Sequence, residues 1–230
     1  VAGWQEVYNY SAATPGSPIE VDGLLRQRQS FSAALPALSS FDGLRAAIAA
    51  IPGVTRYQVY HNDHPGTDDL NIPGHSVAVV VEGGVGQTIV DTIALKKGVG
   101  VGTHGTTSAQ TTADAQGRSL KIEYSVVRYV PVSYTLTVKA LGGFTADILA
   151  NIRRALADWT SEKAIGEKIS LSDAWTIARL YGTADSRTFD IVPGTLKVAR
   201  DGLVTAVQDV SFAYDEVALC TDPYVNVTLT

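Results

Sequence analysis

The chain has 230 residues, 45% hydrophobic and 18% charged, which is enough apolar material for one large domain or two small ones. A net charge of −5 and a pI near 5.3 leave little to neutralise phosphates, so nucleic acid is excluded as an expected partner. One cysteine, Cys220, rules out an intramolecular disulfide and a thiolate-rich zinc site.

The composition suits synthesis in a reducing cytoplasm. No run approaches the roughly 18 apolar residues that cross a bilayer, and no basic-then-apolar leader opens the chain, so no membrane partner is expected. The sequence contains no methionine and begins Val1-Ala2-Gly3-Trp4, which leads us to expect a part of a longer protein.

Residues 1–18 read as a linker or incoming strand, rich in Ser, Pro, Gly and Ala behind the aromatic residues Trp4, Tyr8 and Tyr10. Helical spacing follows over 20–35 (Leu24, Leu25, Phe31) and again over 41–51, where Ser39 or Ser40 is the expected N-cap and Pro52-Gly53 the stop. Strand patterns stand at 55–61 and 76–82, separated by a polar loop over 62–74. Gly83-Gly84 leads to a helix over 87–97 that ends in Lys96 and Lys97, cations that suit its C-terminal dipole. Glycine-rich residues 98–105 precede a hairpin-like pair turning at 114–117.

Beyond residue 128 the pattern changes. Val130, Val132, Tyr134, Leu136 and Val138 alternate with polar partners, as in a half-buried strand. Phe144, Ile148, Leu149, Ile152, Leu156 and Trp159 recur at helical spacing, and a further helix after Ser172 carries Trp175, Ile177, Leu180 and Tyr181. Strands are expected at 195–199, 206–214 (Val210, Phe212 and Tyr214 on one face) and 224–229. The expected fold class is α+β: two small α+β domains, 19–128 and 129–230, with antiparallel-rich sheets and packed helices. The second is expected to fold as a separate unit.

Four groups of residues invite a chemical reading. Val79-Val80-Val81-Glu82-Gly83-Gly84-Val85-Gly86-Gln87-Thr88 has the outline of a phosphate-cradling loop, a strand followed by glycines and a helix start. Such loops need a lysine to reach the β- and γ-phosphates, and Gln87 occupies its place, so a plain glycine corner is the expected reading. His61, Asp63, His64, Asp68, Asp69 and His75 crowd one stretch, with His104 further on, and could attract a divalent cation. They lie on a Pro/Gly loop without a thiolate, and a solvated flexible loop is the expected reading.

Cys220 follows the apolar Val217, Ala218 and Leu219 with no histidine near it, as a small buried hydrophobe does. Asp68-Asp69 and Asp215-Glu216 are adjacent pairs with no assignable acid and base roles, and a solvated surface is the expected reading. Trp159 and Trp175 sit on apolar helical faces and are expected in the core rather than on a carbohydrate platform. No catalytic residue, metal ligand or cofactor is therefore assigned.

Taken together, the chain resembles the baseplate J-like family of contractile phage tails over about 1–230. The resemblance rests on segments in order: Pro15-Gly16-Ser17-Pro18-Ile19-Glu20-Val21-Asp22 with Leu25-Arg26-Gln27-Arg28; Pro52-Gly53-Val54 before Tyr60-His61-Asn62-Asp63; and Ile72-Pro73-Gly74-His75-Ser76 before Val79-Val80-Val81-Glu82-Gly83-Gly84. Ile89, Ile93, Lys96-Lys97-Gly98, Gly102-Thr103 and Gly105-Thr106 follow, then the helix over 148–159 with Ile165-Gly166-Glu167 and Ser170.

The resemblance implies a structural wedge component of the virion's tail baseplate, assembled in the bacterial host cytoplasm and not an enzyme. Its partners would be copies of itself, a second wedge protein, the tail hub and sheath-proximal proteins. Trp4, Tyr8 and Tyr10 are the expected interface residues. The long acidic loop at 62–71 departs from the family pattern. The alternatives are a receptor- or metal-binding tail module using the 61–75 loop, and a nucleotide-binding enzyme at the turn from Gly83 to Thr88.

Overall fold

The computed structural model describes residues 40–201 and 206–230, and Trp4, Tyr8, Tyr10 and the helix expected over 20–35 lie outside them. The fold is α+β, built on two mixed five-stranded sheets.

In the first sheet, β1 (Val54–Asn62) pairs antiparallel with β2 (Ser76–Gly83), and β4 (Thr107–Gln110) pairs antiparallel with β5 (Lys121–Val126). β5 and the short β3 (Gly102–His104) both run parallel to β2. Helices α1 (Ser40–Ala49) and α2 (Gly86–Lys96) cover one face. Leu44 and Ile48 of α1, and Ile89, Val90 and Ile93 of α2, meet Val59, Val77, Val79, Val81 and Ile122 in one core. Side chains alternate between the faces of a strand, so Ala78 and Val80 of β2 point the other way. They are buried as well. β2 is therefore covered on both sides, which is why it reads as an unbroken apolar run.

The second sheet is organised around β6 (Arg128–Ala140). β8 (Lys197–Arg200) and β7 (Phe189–Ile191) pair antiparallel with it, while β9 (Glu216–Leu219) and β10 (Val225–Leu229) pair parallel. All five alternating apolar residues of β6 are buried, each stabilising by roughly 1.5–3 kcal/mol. Val132, Tyr134, Leu136 and Val138 share one core with α3 (Asp147–Ser161) and α4 (Leu171–Ala178), which present Ile148, Ile152, Leu156, Ala174 and Ala178. Leu219 aligns with Pro131 and Val225 with Tyr134, so six steps along one chain match three along β6. The surplus is taken up by a 3₁₀ turn, Asp222–Tyr224, that bulges between β9 and β10.

The chain passes from one sheet to the other at Val127, with no linker between β5 and β6. Val80, Val127, Ile165 and Val217 form a third buried cluster between the sheets, flanked by Tyr60 and Tyr214. Arg56 pairs with Glu82 and also donates to the carbonyls of Ser161, the last residue of α3, and Lys163 just past it, each at 3.1 Å. The second sheet thus supplies the cover for the first sheet's other face.

Several boundaries differ from expectation for local reasons. No strand runs over 206–214: Ala206 and Val210 make only isolated bridges, to Val198 and Ile169. Val210 and Phe212 reach the core from a loop instead. That loop brings Asp209 Oδ1 to the Leu171 amide at 2.9 Å, capping α4 from a distant segment, so Ser172 lies inside the helix rather than before it. Leu180 has φ +50° and ends the helical path, which leaves Leu180 and Tyr181 outside α4. Phe144 belongs to the turn before α3, where its amide donates to the Leu141 carbonyl at 3.2 Å. The strands that periodicity missed, β3, β7 and β9, have three or four residues each, too few to show a period.

Candidate functional site

The glycine corner is closed by packing. Gly83 and Gly84 have φ of +77° and +79°, and a Cβ on Gly83 would run into the carbonyl oxygen of Gly53. One on Gly84 would lie 2.7 Å from Val54 Cγ2. Backbone that would have to face a phosphate instead abuts the turn after α1. α2 opens at Gly86, two residues before Thr88, and Gln87 Nε2 donates to Asp91 Oδ1 and to the Gln110 carbonyl, both at 3.1 Å. Gln87 ties the helix to β4. Asp91 accepts in turn from the amide and hydroxyl of Thr112, and these bonds hold its carboxyl below the usual range.

The 61–75 loop is anchored by its own side chains, while His61, Asp63, His64, Asp69 and His75 stay exposed, as expected of a solvated loop. Asn62 is buried, and its Nδ2 donates to the carbonyls of Gly66 (2.7 Å) and Ile72 (2.8 Å) while its Oδ1 accepts from the His64 amide. Asp68 Oδ1 accepts from the amides of Leu70 and Ile72, so this acid organises the loop rather than facing a ligand. Ile72 plugs the loop into the core. His61 lies against Phe41 with ring centroids 4.5 Å apart and ring planes tilted by 58°, and both line a cleft of about 240 Å³ with His75, Asp63 and Lys97. His64 lies 3.7 Å from Asp63 at the surface. His104 is on β3, where its ring centroid is 6.2 Å from that of Tyr214. Among the described residues no three His, Cys, Asp or Glu side chains converge to hold a metal ion.

Cys220 is buried in the second core, and burial pushes its thiol up to about 12, so it is not a thiolate at neutral pH. Trp159 and Trp175 both pack against that core while part of each stays exposed.

Sequence reasoning missed the charged network at the junction, and the solvated surface expected for Glu216 is corrected by its burial among two arginines. Glu216 is 2% exposed, and its carboxylate meets Arg128 and both oxygens accept from Arg200 Nη2, at 2.9 and 3.0 Å, while Oε2 also accepts from the Ala213 amide. Glu82 pairs with Arg56 and accepts from the Tyr129 hydroxyl; the Arg56 hydrogen bond is the main cause that holds its carboxyl down to about 2. Glu82 and Glu216 thus lock β2 and β9 to their neighbours. Neither residue has a motif around it; only the strand on which each stands could have suggested burial.

Large apolar side chains remain exposed at scattered places, among them Leu95, Val99, Leu120, Tyr181 and Leu229. No helix among the described residues is long and apolar enough to cross a membrane. No protein-family model matches the chain, and no curated protein matches it in sequence.

Proposed function

We propose that the protein is a structural component of a contractile tail baseplate, a wedge protein that works by assembly with copies of itself and other baseplate proteins and not by catalysis. The observation that carries this reading is the ordered set of baseplate J-like segments along the chain.

The use of those segments in the fold supports it. Gly53, from Pro52-Gly53-Val54, lies against Gly83 of the Glu82-Gly83-Gly84 step. Gly74 is held where a Cβ would strike the carbonyl of Pro65, and Gly105 where one would strike the backbone of Tyr124. Gly166, at φ +72°, approaches the Tyr60 hydroxyl across the junction. These glycines stand where two parts of the chain approach closely.

Deletion of the gene in the phage or prophage, followed by electron microscopy of the particles, tests the proposal. The expected outcome is tubes and sheaths made but not joined to a tail tip. Intact tails that fail only to bind or enter the host would overturn it and favour a receptor-binding module.

A further inference from the structure

Helices α3 and α4 pack side by side over the second core and leave a groove of about 390 Å³ between their outer faces. Ala155 and Trp159 line it from α3, and Ile177 and Leu180 from the α4 side. Tyr181 stands at its mouth, 66% exposed. Left-handed backbone on both sides of that tyrosine, Leu180 at φ +50° and Gly182 at φ +89°, turns it away from the core.

The charges around the groove are unevenly committed. Lys163 Nζ lies 4.3 Å from the Trp159 ring centroid and pairs with Glu167 at 2.7 Å. Arg179 lies 6.0 Å from the Tyr181 centroid and pairs with Asp190. Asp158 near the end of α3 and Glu162, the residue that caps it, also line the groove and are exposed, and neither carboxylate has an ion-pair partner among the described residues. The result is an aromatic floor beside two uncompensated negative charges.

A purely apolar occupant would strip water from those carboxylates without replacing it, and an acidic one would be repelled. Interface cores are rich in aromatic anchors ringed by polar groups, and a groove between helices suits an amphipathic helix. We propose that this groove is the docking site for a basic amphipathic helix of another protein. Its apolar residues would pack on Trp159 and Tyr181, and flanking Arg or Lys side chains would meet Asp158 and Glu162. The proposal stands independently of the baseplate reading.

Isothermal titration of the full chain with a synthetic amphipathic peptide tests it, the peptide carrying a Leu stripe flanked by Arg. A control peptide replaces each Arg by Glu. Micromolar binding of the Arg peptide is expected, at least about tenfold weaker for the control, with affinity falling as salt rises. The double variant Asp158→Lys/Glu162→Lys should lose at least about tenfold for the Arg peptide and gain affinity for the control. Tyr181→Ala, at an exposed position, should weaken both without loss of folding. No binding of the Arg peptide, or binding that ignores peptide charge or these substitutions, would overturn the proposal. Self-association of the chain that the same substitutions abolish would overturn it too, because the occupant would then be a second copy.

Discussion

The two sheets bury their strands differently. In the first, helices cover one face, and β9 with the stretch after α3 covers the other, so β2 is apolar at every position from Val77 to Val81. In the second, α3 and α4 cover one face of β6, while the other shows Ser133, Thr135 and Thr137 beside Asn226 and Thr228 of β10. Thr137 and Thr228 hydroxyls bond across the strands at 3.0 Å, a polar pairing suited to a wet surface. The contrast teaches that a strand's pattern reports how many of its faces meet protein. In the first sheet the second cover comes from residues more than 80 positions along the chain, Ile165 and Val217.

The largest expected effect tests the helix-covered face. Leu156 is fully buried between α3 and β6, so Leu156→Ala should cost about 2–5 kcal/mol in denaturant unfolding through lost transfer energy and a cavity. An unchanged midpoint would mean that the face does not pack as described. Val80→Ala sharpens the comparison from the junction side. It should cost roughly 2 kcal/mol, for two methyl groups and a small cavity, although Val80 touches neither helix of its own sheet.

Acid tests the polar edge of the same junction. Glu82 sits below its ordinary carboxylate range in the folded protein, mainly through the Arg56 hydrogen bond, and returns to that range on unfolding. Its contribution is therefore complete above about pH 4.5 and declines as pH falls toward about 2. The stability gap between the wild type and Glu82→Gln should narrow across that window; a gap independent of pH would remove Glu82 from the account. Smallest of all, Thr137→Ala on the open face should shift stability by no more than about 0.5–1 kcal/mol. A larger loss would show that this face is covered.

How much of this was legible beforehand follows the same physics. The alternation from Val130 to Val138 and the apolar stripe through Ile152 and Leu156 are local signals, and both marked buried faces correctly. The α+β class followed from them. Three-residue strands carry no period, and the stretch over 206–214 alternates like a strand because a loop drops Val210 and Phe212 into the core two residues apart. The corner at Gly83 looked like a phosphate loop because both need bare backbone; Gln87 in the place of a lysine separates them in the sequence, and the position of Gly53 does so in the fold. Among the site residues, the anchoring roles of Asn62 and Asp68 depend on backbone groups several residues away that composition does not reveal. The groove at Trp159 and Tyr181 depends on α3 lying beside α4, and on a left-handed Leu180 that no propensity predicts.

Amide hydrogen exchange on the intact chain tests most directly whether the two sheets form one cooperative body. The seamless passage through Val127 and the shared cluster of Val80, Ile165 and Val217 predict that the central amides of β2, such as Val79 and Val81, open with the same free energy as those of β6, such as Tyr134 and Leu136. Both sets should lose the same protection in Val80→Ala. Exchange from β2 at a much lower opening free energy than from β6 would contradict the account, because the first sheet would then unfold without the second.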